Sequence, residues 1–317
     1  MLSIGIASKG RIEDQSFAYL ASIGIPVTKA GAGRSYAAEI KGLANTKVWL
    51  LPADEIAKRL HAGTLHAGIT GLDLLHEHGA LDARVLPLER LGFARADLVV
   101  AVPRTWIDVV DTGDLLDVFG DLRARLQRAP KVATKYRRIT KSAFSKLGLR
   151  DFRIIADPGA TEAAPARGSA DVIVDITTSG ETLRANQLKP LGPALLASEA
   201  VLAASLTAPD WSEEGLAALG RILDRIASHG DDHKLIEFSV GGNTAPLARD
   251  LKARFGLELQ AAPDDTRAAL FVAEADAFEV AAFLRGQTQR PVSVLDLAYR
   301  LSETGRPLGA LKARLKD

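Results

Sequence analysis

Val172-Ile173-Val174-Asp175-Ile176-Thr177-Thr178-Ser179-Gly180-Glu181-Thr182-Leu183 runs from an apolar stretch into an acid and then into a loop of small hydroxyl residues and glycine. The apolar part has the length of a buried strand, and Leu183, Ala185 and Leu188 predict a helix after the loop. Strand, glycine-containing turn and helix together form the repeating step of an α/β fold. Backbone N–H groups and hydroxyls at such a helix start suit a phosphate, with Gly180 permitting close approach. Asp175, at the strand end, is placed to accept bonds from ribose hydroxyls. The same residues also fit an ordinary turn with a Ser or Thr cap, and taken alone they leave both readings open.

The same step recurs on either side. Ile4–Ala7, Val48–Leu51 and Ala67–Thr70 read as strands, with helices predicted over Phe17, Leu20 and Ile23 and from near Asp54 and Gly71. Asp97–Val102, Lys131–Thr134 and Arg153–Ile155 are the further strands of a second series that ends in 171–175. Residues 1–95, rejoined by about 186–210, are therefore expected as one lobe and 96–185 as another. A polar insertion, 108–128, interrupts the second lobe without a function that its residues reveal. Residues 211–231 read as a connecting helix and linker, built on Leu216, Leu219, Ile222, Leu223 and Ile226. In 232–317, strands are predicted over 235–240, 257–261, 268–273 and 291–297, with helices over 245–255 and 277–285. That βαββαβ order is the ferredoxin-like split motif.

Composition narrows the function classes. Among 317 residues, 40 Lys and Arg face 39 Asp and Glu, so no bulk field recruits nucleic acid or anionic lipid and an anionic ligand must be held by local groups. With no cysteine, thiol nucleophiles, disulfides and zinc-thiolate sites are excluded. The apolar start, Met1–Ala7, runs at once into Ser8-Lys9-Gly10-Arg11 and is too short for a signal peptide. No apolar run approaches the roughly 20 residues of a membrane span, so a cytoplasmic protein is expected, with neither membrane nor nucleic acid as partner.

Other segments offer ligand groups. Lys9 and Arg11 follow the first strand, at the carboxyl end where open α/β sheets bind ligands, and can face a polyphosphate. Gly31-Ala32-Gly33-Arg34 supplies another cation but lacks the third glycine of a dinucleotide loop. Glu162 stands alone among small residues in Asp157–Pro165, either an exposed turn or part of the phosphate-loop region. His76, His78, His229 and His233 lack the spacing of three or four convergent ligands, so no metal site is expected; His61 and His66 read as structural or exposed.

Gly68–Leu75, Val132-Ala133-Thr134-Lys135-Tyr136, Gly159–Pro165 and Asp175–Leu183 with Arg184-Ala185-Asn186 together resemble the ATP phosphoribosyltransferase family over residues 4–205. The resemblance implies a two-lobed catalytic core like a periplasmic binding protein, with the active site in its cleft. It implies joining of ATP to phosphoribosyl pyrophosphate, the first step of histidine biosynthesis, with Mg²⁺ carried by the substrate phosphates. By resemblance, Arg11 and Arg34 stabilise the leaving pyrophosphate with Lys9 nearby, and Asp73 and Tyr136 contact the adenine nucleotide. Glu162 and Asp175 would hold ribose hydroxyls, and Thr178, Ser179, Gly180, Glu181 and Thr182 the 5′-phosphate. The C-terminal part resembles the long-form regulatory domain, which implies a homo-oligomer, dimer or hexamer, with histidine as inhibitor. The competing class, a non-enzymatic two-lobed small-ligand-binding protein, has no need of a phosphate loop together with Arg11 and Arg34.

Overall fold

β1 (Leu2–Ala7) forms on the first apolar run, and α1 (Arg11–Ser22) follows a turn in which Gly10 holds φ at 76°. The computed structural model describes residues 1–29, 37–79, 81, 83–155, 160–229, 233–241, 244–261, 267–296 and 306–316. Next come β2 (Val27–Lys29), β3 (Ala37–Ile40), β4 (Thr46–Leu51), α2 (Ala53–Ala62), β5 (Ala67–Gly71), α3 (Leu72–Glu77) and β6 (Val85–Arg90). The second series holds β7 (Ala96–Pro103), α4 (Leu115–Leu126), β8 (Lys131–Ala133), α5 (Arg137–Lys146), β9 (Arg153–Ile155), β10 (Val172–Thr177), α6 (Glu181–Ala185) and β11 (Leu188–Ser198). β12 (Ala200–Ser205) and α7 (Glu213–His229) lead to β13 (His233–Ser239), α8 (Ala245–Phe255), β14 (Gln260–Ala261) and β15 (Arg267–Ala273). α9 (Ala277–Thr288), β16 (Val292–Asp296) and α10 (Arg306–Arg314) close the chain.

Three sheets result. The first runs β2-β3-β4-β1-β5-β12-β6, with β1 parallel to β4 and β5. The second runs β11-β7-β10-β8-β9, with β8 parallel to β9 and β10. These are the two lobes, and the chain passes from one to the other between β6 and β7 and back between β11 and β12. The third sheet runs β14-β15-β13-β16, every neighbour antiparallel. Residues 1–220 and 306–317 make one compact unit and 221–305 another.

Burial explains the framework. In the second lobe Phe144 is fully buried, with Phe119 and Phe152 edge-on to it at 6.2 and 5.0 Å between ring centroids. A buried side chain of this kind contributes about 1.5–3 kcal/mol. Phe119 comes from α4, so the segment read as a polar insertion supplies Leu115 and Phe119 to this core and buries Leu122 as well.

The structure departs from the sequence reading elsewhere. The helix predicted through Leu188 ends at Ala185; Gln187 turns the backbone to φ 55°, and Leu188 begins β11. β11 pairs with β7 of the second lobe, so the chain returns to the first lobe at Ala200 rather than near 186. The strand expected over 257–261 is confined to Gln260–Ala261.

Candidate functional site

The carboxyl ends of strands from both lobes deliver the polar groups. β1 leads to Arg11, β5 to Asp73, β8 to Lys135 and Tyr136, and β10 to Thr178–Thr182. This is where open α/β sheets hold ligands. Arg11, Asp73, Lys135, Tyr136, Thr178, Ser179, Glu181 and Thr182 all line one cavity of about 480 Å³. Arg11 opens α1 and Lys135 precedes α5; both are exposed.

Asp73 and Tyr136 form the buried end of this wall, at 5% and 1% exposure. The Tyr136 hydroxyl donates to Asp73 Oδ2 at 2.6 Å, and the Ser198 hydroxyl donates to Oδ1 at 2.7 Å. Ser198 Oγ accepts in turn from the Asp73 N–H at 3.0 Å. Burial first, then the Asp73 charge and hydrogen bond, push the Tyr136 phenol far above its ordinary value, so it stays a donor. Its backbone is held too: the Tyr136 N–H donates to Thr134 Oγ1, and its carbonyl accepts from Thr140 Oγ1.

The loop after β10 is shaped by its own hydroxyls. Thr177 Oγ1 accepts from the Gly180 N–H at 3.0 Å, and Gly180, at φ 72°, caps α6 in the left-handed region where glycine is unstrained. Thr178, Ser179 and Thr182 are left exposed toward the cavity. Asp175 Oδ1 accepts from the Ile176 N–H at 2.8 Å. Burial raises the Asp175 carboxyl above its ordinary value; Lys135 pulls it down, Glu162 pushes it up, and Thr161 bonds to it. Two carboxylates and a lysine thus share one region, a charge pattern suited to a polyhydroxylated anion.

The ATP phosphoribosyltransferase family model matches residues 52–228. The chain is 43% identical to the ATP phosphoribosyltransferase of Caulobacter vibrioides over 316 residues, covering 98% of this chain and 97% of that one. It is 39% identical to the Rhodopseudomonas palustris (strain BisB18) enzyme over 320 residues, covering 99% and 98%. This chain belongs to the ATP phosphoribosyltransferase family. In fold it is similar to the ATP phosphoribosyl transferase (HisG:HisZ) complex from Thermotoga maritima, with a TM-score of 0.54 at 21% identity. That likeness covers 72% of this chain and 97% of that one.

Within this phosphoribosyltransferase the expected site residues divide. Arg11, Asp73, Tyr136, Thr178, Ser179, Glu181 and Thr182 meet around one cavity, while Gly180 shapes the loop from behind. Asp175 and Glu162 adjoin each other beside it, and Lys9 is exposed on the loop before α1. Arg34 lies outside the described residues, as does the start of the Asp157–Pro165 segment. Lys135 and Ser198 were missed; Lys135 lies inside the quoted Val132–Tyr136 motif, whereas nothing local singles out Ser198. Among the described residues no group of three His, Asp or Glu side chains is placed to hold a metal. His78 Nε2 bonds Asp54 Oδ1 at 2.7 Å, and His66 ties Ser3 to Pro209. No helix among the described residues is long and apolar enough to cross a membrane.

Proposed function

We propose that this cleft transfers the phosphoribosyl group of phosphoribosyl pyrophosphate to N1 of the adenine of ATP, releasing pyrophosphate, as the first step of histidine biosynthesis. The observation that carries it is the meeting of Arg11, Lys135 and the Thr178–Thr182 loop around one cavity in a member of this family. The adenine N1 lone pair forms the bond to the anomeric carbon as the bond to pyrophosphate breaks, the leaving group taking the electron pair. Positive charge builds on the ribose ring and negative charge on the departing oxygen, so placed cations and hydrogen bonds matter more than a strong nucleophile.

In this reading the Thr178, Ser179 and Thr182 hydroxyls and the start of α6, with Gly180 and Glu181, hold the 5′-phosphate. Asp175 and Glu162 accept from the ribose hydroxyls. Arg11 and Arg34 are assigned to stabilising the leaving pyrophosphate, with Lys9 as a neighbouring charge and Lys135 as a further cation. Each Asp73 oxygen keeps a second lone pair for the adenine nucleotide after bonding Tyr136 and Ser198. Mg²⁺ enters as the counter-ion of the substrate phosphates, in keeping with its reluctance to dehydrate. The test is the ultraviolet spectrum of the adenine: an N1-substituted product forms only with both substrates present, and its absence sinks the proposal.

The second compact unit is proposed to be ferredoxin-like and to bring copies of the chain together in the cytoplasm. Its βαββαβ order and its antiparallel β14-β15-β13-β16 sheet support the first point. The edge strand β16, with Val294 and Leu295 at 45% and 41% exposure, supports the second. Histidine is proposed to inhibit by preferring one assembly state. A histidine titration of activity with sedimentation of the same samples tests this, and neither activity nor size responding removes it.

A further inference from the structure

Helix α5 begins against its own dipole. Its first turn carries Arg137 and Arg138 and no acid, although the positive end of a helix favours anions. No side chain of its own N-cap residue, Tyr136, bonds the free N–H groups there. The missing charge comes from the other lobe. Glu77, at the end of α3, takes the Arg138 N–H at 2.9 Å on Oε1 and 3.0 Å on Oε2, and the Ile139 N–H at 3.1 Å on Oε2.

Asp73 lies one helical turn before Glu77, and residues at i and i+4 share a face. Both carboxylates therefore reach across to one short segment of the second lobe, Asp73 to the Tyr136 hydroxyl and Glu77 to the backbone two and three residues on. Between them they fix the segment that carries Lys135 into the cavity. Gly79, just beyond α3, has the Arg138 guanidinium packed where a β-carbon would stand, so the two lobes are close-fitted here.

We infer that Glu77 is a positioning residue for the transfer reaction: from one lobe it caps α5 of the other and so holds Lys135 and Tyr136 at the working distance from the phosphate loop. The inference rests on the cleft being the substrate site. Misplacing a reacting group by about 1 Å costs on the order of 100-fold in rate, which leaves wide room for a cap to matter without touching substrate.

The test compares Glu77→Ala and the near-isosteric Glu77→Gln with the parent in the full chain. It reads kcat and KM from pyrophosphate release, ATP affinity at equilibrium, and the folded fraction from thermal unfolding. Glu77→Ala is expected to lose about 10-fold or more in kcat per folded molecule, with ATP affinity within about twofold. Glu77→Gln, which keeps one acceptor and lacks the charge, falls between the two. A purely structural role would lower the folded fraction and leave kcat per folded molecule unchanged, and that result overturns the inference. Should Glu77→Ala not fold, Glu77→Gln decides, parental kcat per folded molecule again overturning it. Asp175→Asn, whose carboxylate bonds the Ile176 N–H rather than any part of the α5 cap, runs alongside. If it retains full activity the reading of the cleft fails and this inference with it; if it is impaired while both Glu77 variants are not, only the cap is refuted.

Discussion

The Tyr136 hydroxyl and the Asp73 carboxylate, 63 residues apart and in different lobes, meet in a buried hydrogen bond of 2.6 Å. Ser198, next to the return crossing between lobes, bonds the other carboxylate oxygen. The carboxylate of the first lobe thus meets two elements of the second, the segment before α5 and the end of β11, and the cavity wall is built on it.

Removing either donor leaves a buried carboxylate oxygen short of a partner, which costs about 1–3 kcal/mol. Tyr136→Phe and Ser198→Ala are each expected to lower unfolding free energy by that amount in urea titrations. Because they share one carboxylate, the double variant should depart from additivity by about 0.5 kcal/mol or more. Strict additivity would mean that the two bonds do not act through Asp73.

Asp175 gives a pH signature with a definite sign. Its carboxyl is raised, by burial first, so the ionised form that the proposed ribose contact requires is lost at higher pH than for an ordinary aspartate. The acid limb of kcat/KM for phosphoribosyl pyrophosphate should therefore lie above the usual aspartate range. A raised carboxyl also means that the folded state binds the proton more readily than the unfolded one, so the charge works against the fold above the unfolded value. Asp175→Asn should accordingly cripple turnover while leaving the unliganded protein at least as stable at neutral pH. Scanning calorimetry with parallel kinetics checks both halves.

His66 carries the opposite kind of linkage. Its Nδ1 accepts from the Ser3 N–H at 3.1 Å, which leaves Nε2 to donate to the Pro209 carbonyl at 3.1 Å. Burial first lowers its pKa below the ordinary histidine value. The neutral ring stabilises the fold above the unfolded pKa of about 6.5, and that contribution is lost as pH falls below it. Chemical denaturation between neutral pH and mild acid should show this slope, at most about 1.4 kcal/mol per pH unit per proton, reduced in His66→Ala. A variant with the parental slope would remove His66 from the linkage.

Two glycines separate backbone strain from collision. Gly63 and Gly42 both have positive φ, 76° and 83°, but a β-carbon on Gly63 would stand 2.5 Å from the Thr207 carbonyl oxygen, whereas Gly42 faces open space. Gly42→Ala should cost about 1–2 kcal/mol for the left-handed backbone alone, and Gly63→Ala clearly more. Equal losses in thermal unfolding would contradict the packing described at the end of α2.

Much of this was legible in the sequence, for identifiable reasons. Helix 245–255 is bounded by Pro246 at its start and Gly256 at φ 69° after its end, and such punctuation reads directly. The loop after β10 was legible because strand, acid and glycine follow one another locally. Leu188 misled because it continues an apolar spacing past Gln187, whose positive φ the pattern does not reveal. Ser198 was invisible because its partner is 125 residues away. The reach of Asp73 and Glu77 across the lobes left one trace, two acids at i and i+4 on a short helix, whose partners only the fold supplies.

The most direct measurement of the central claim is steady-state pyrophosphate release by the parent, Asp175→Asn and Thr182→Val, each supplied with ATP, phosphoribosyl pyrophosphate, or both. Release is expected only with both substrates, and each variant should lose about 5-fold or more in kcat/KM for phosphoribosyl pyrophosphate, since an unpaired ligand group costs about 1–3 kcal/mol. Parental release by both variants, or none by a folded parent, would contradict the assignment of the transfer reaction to this cleft.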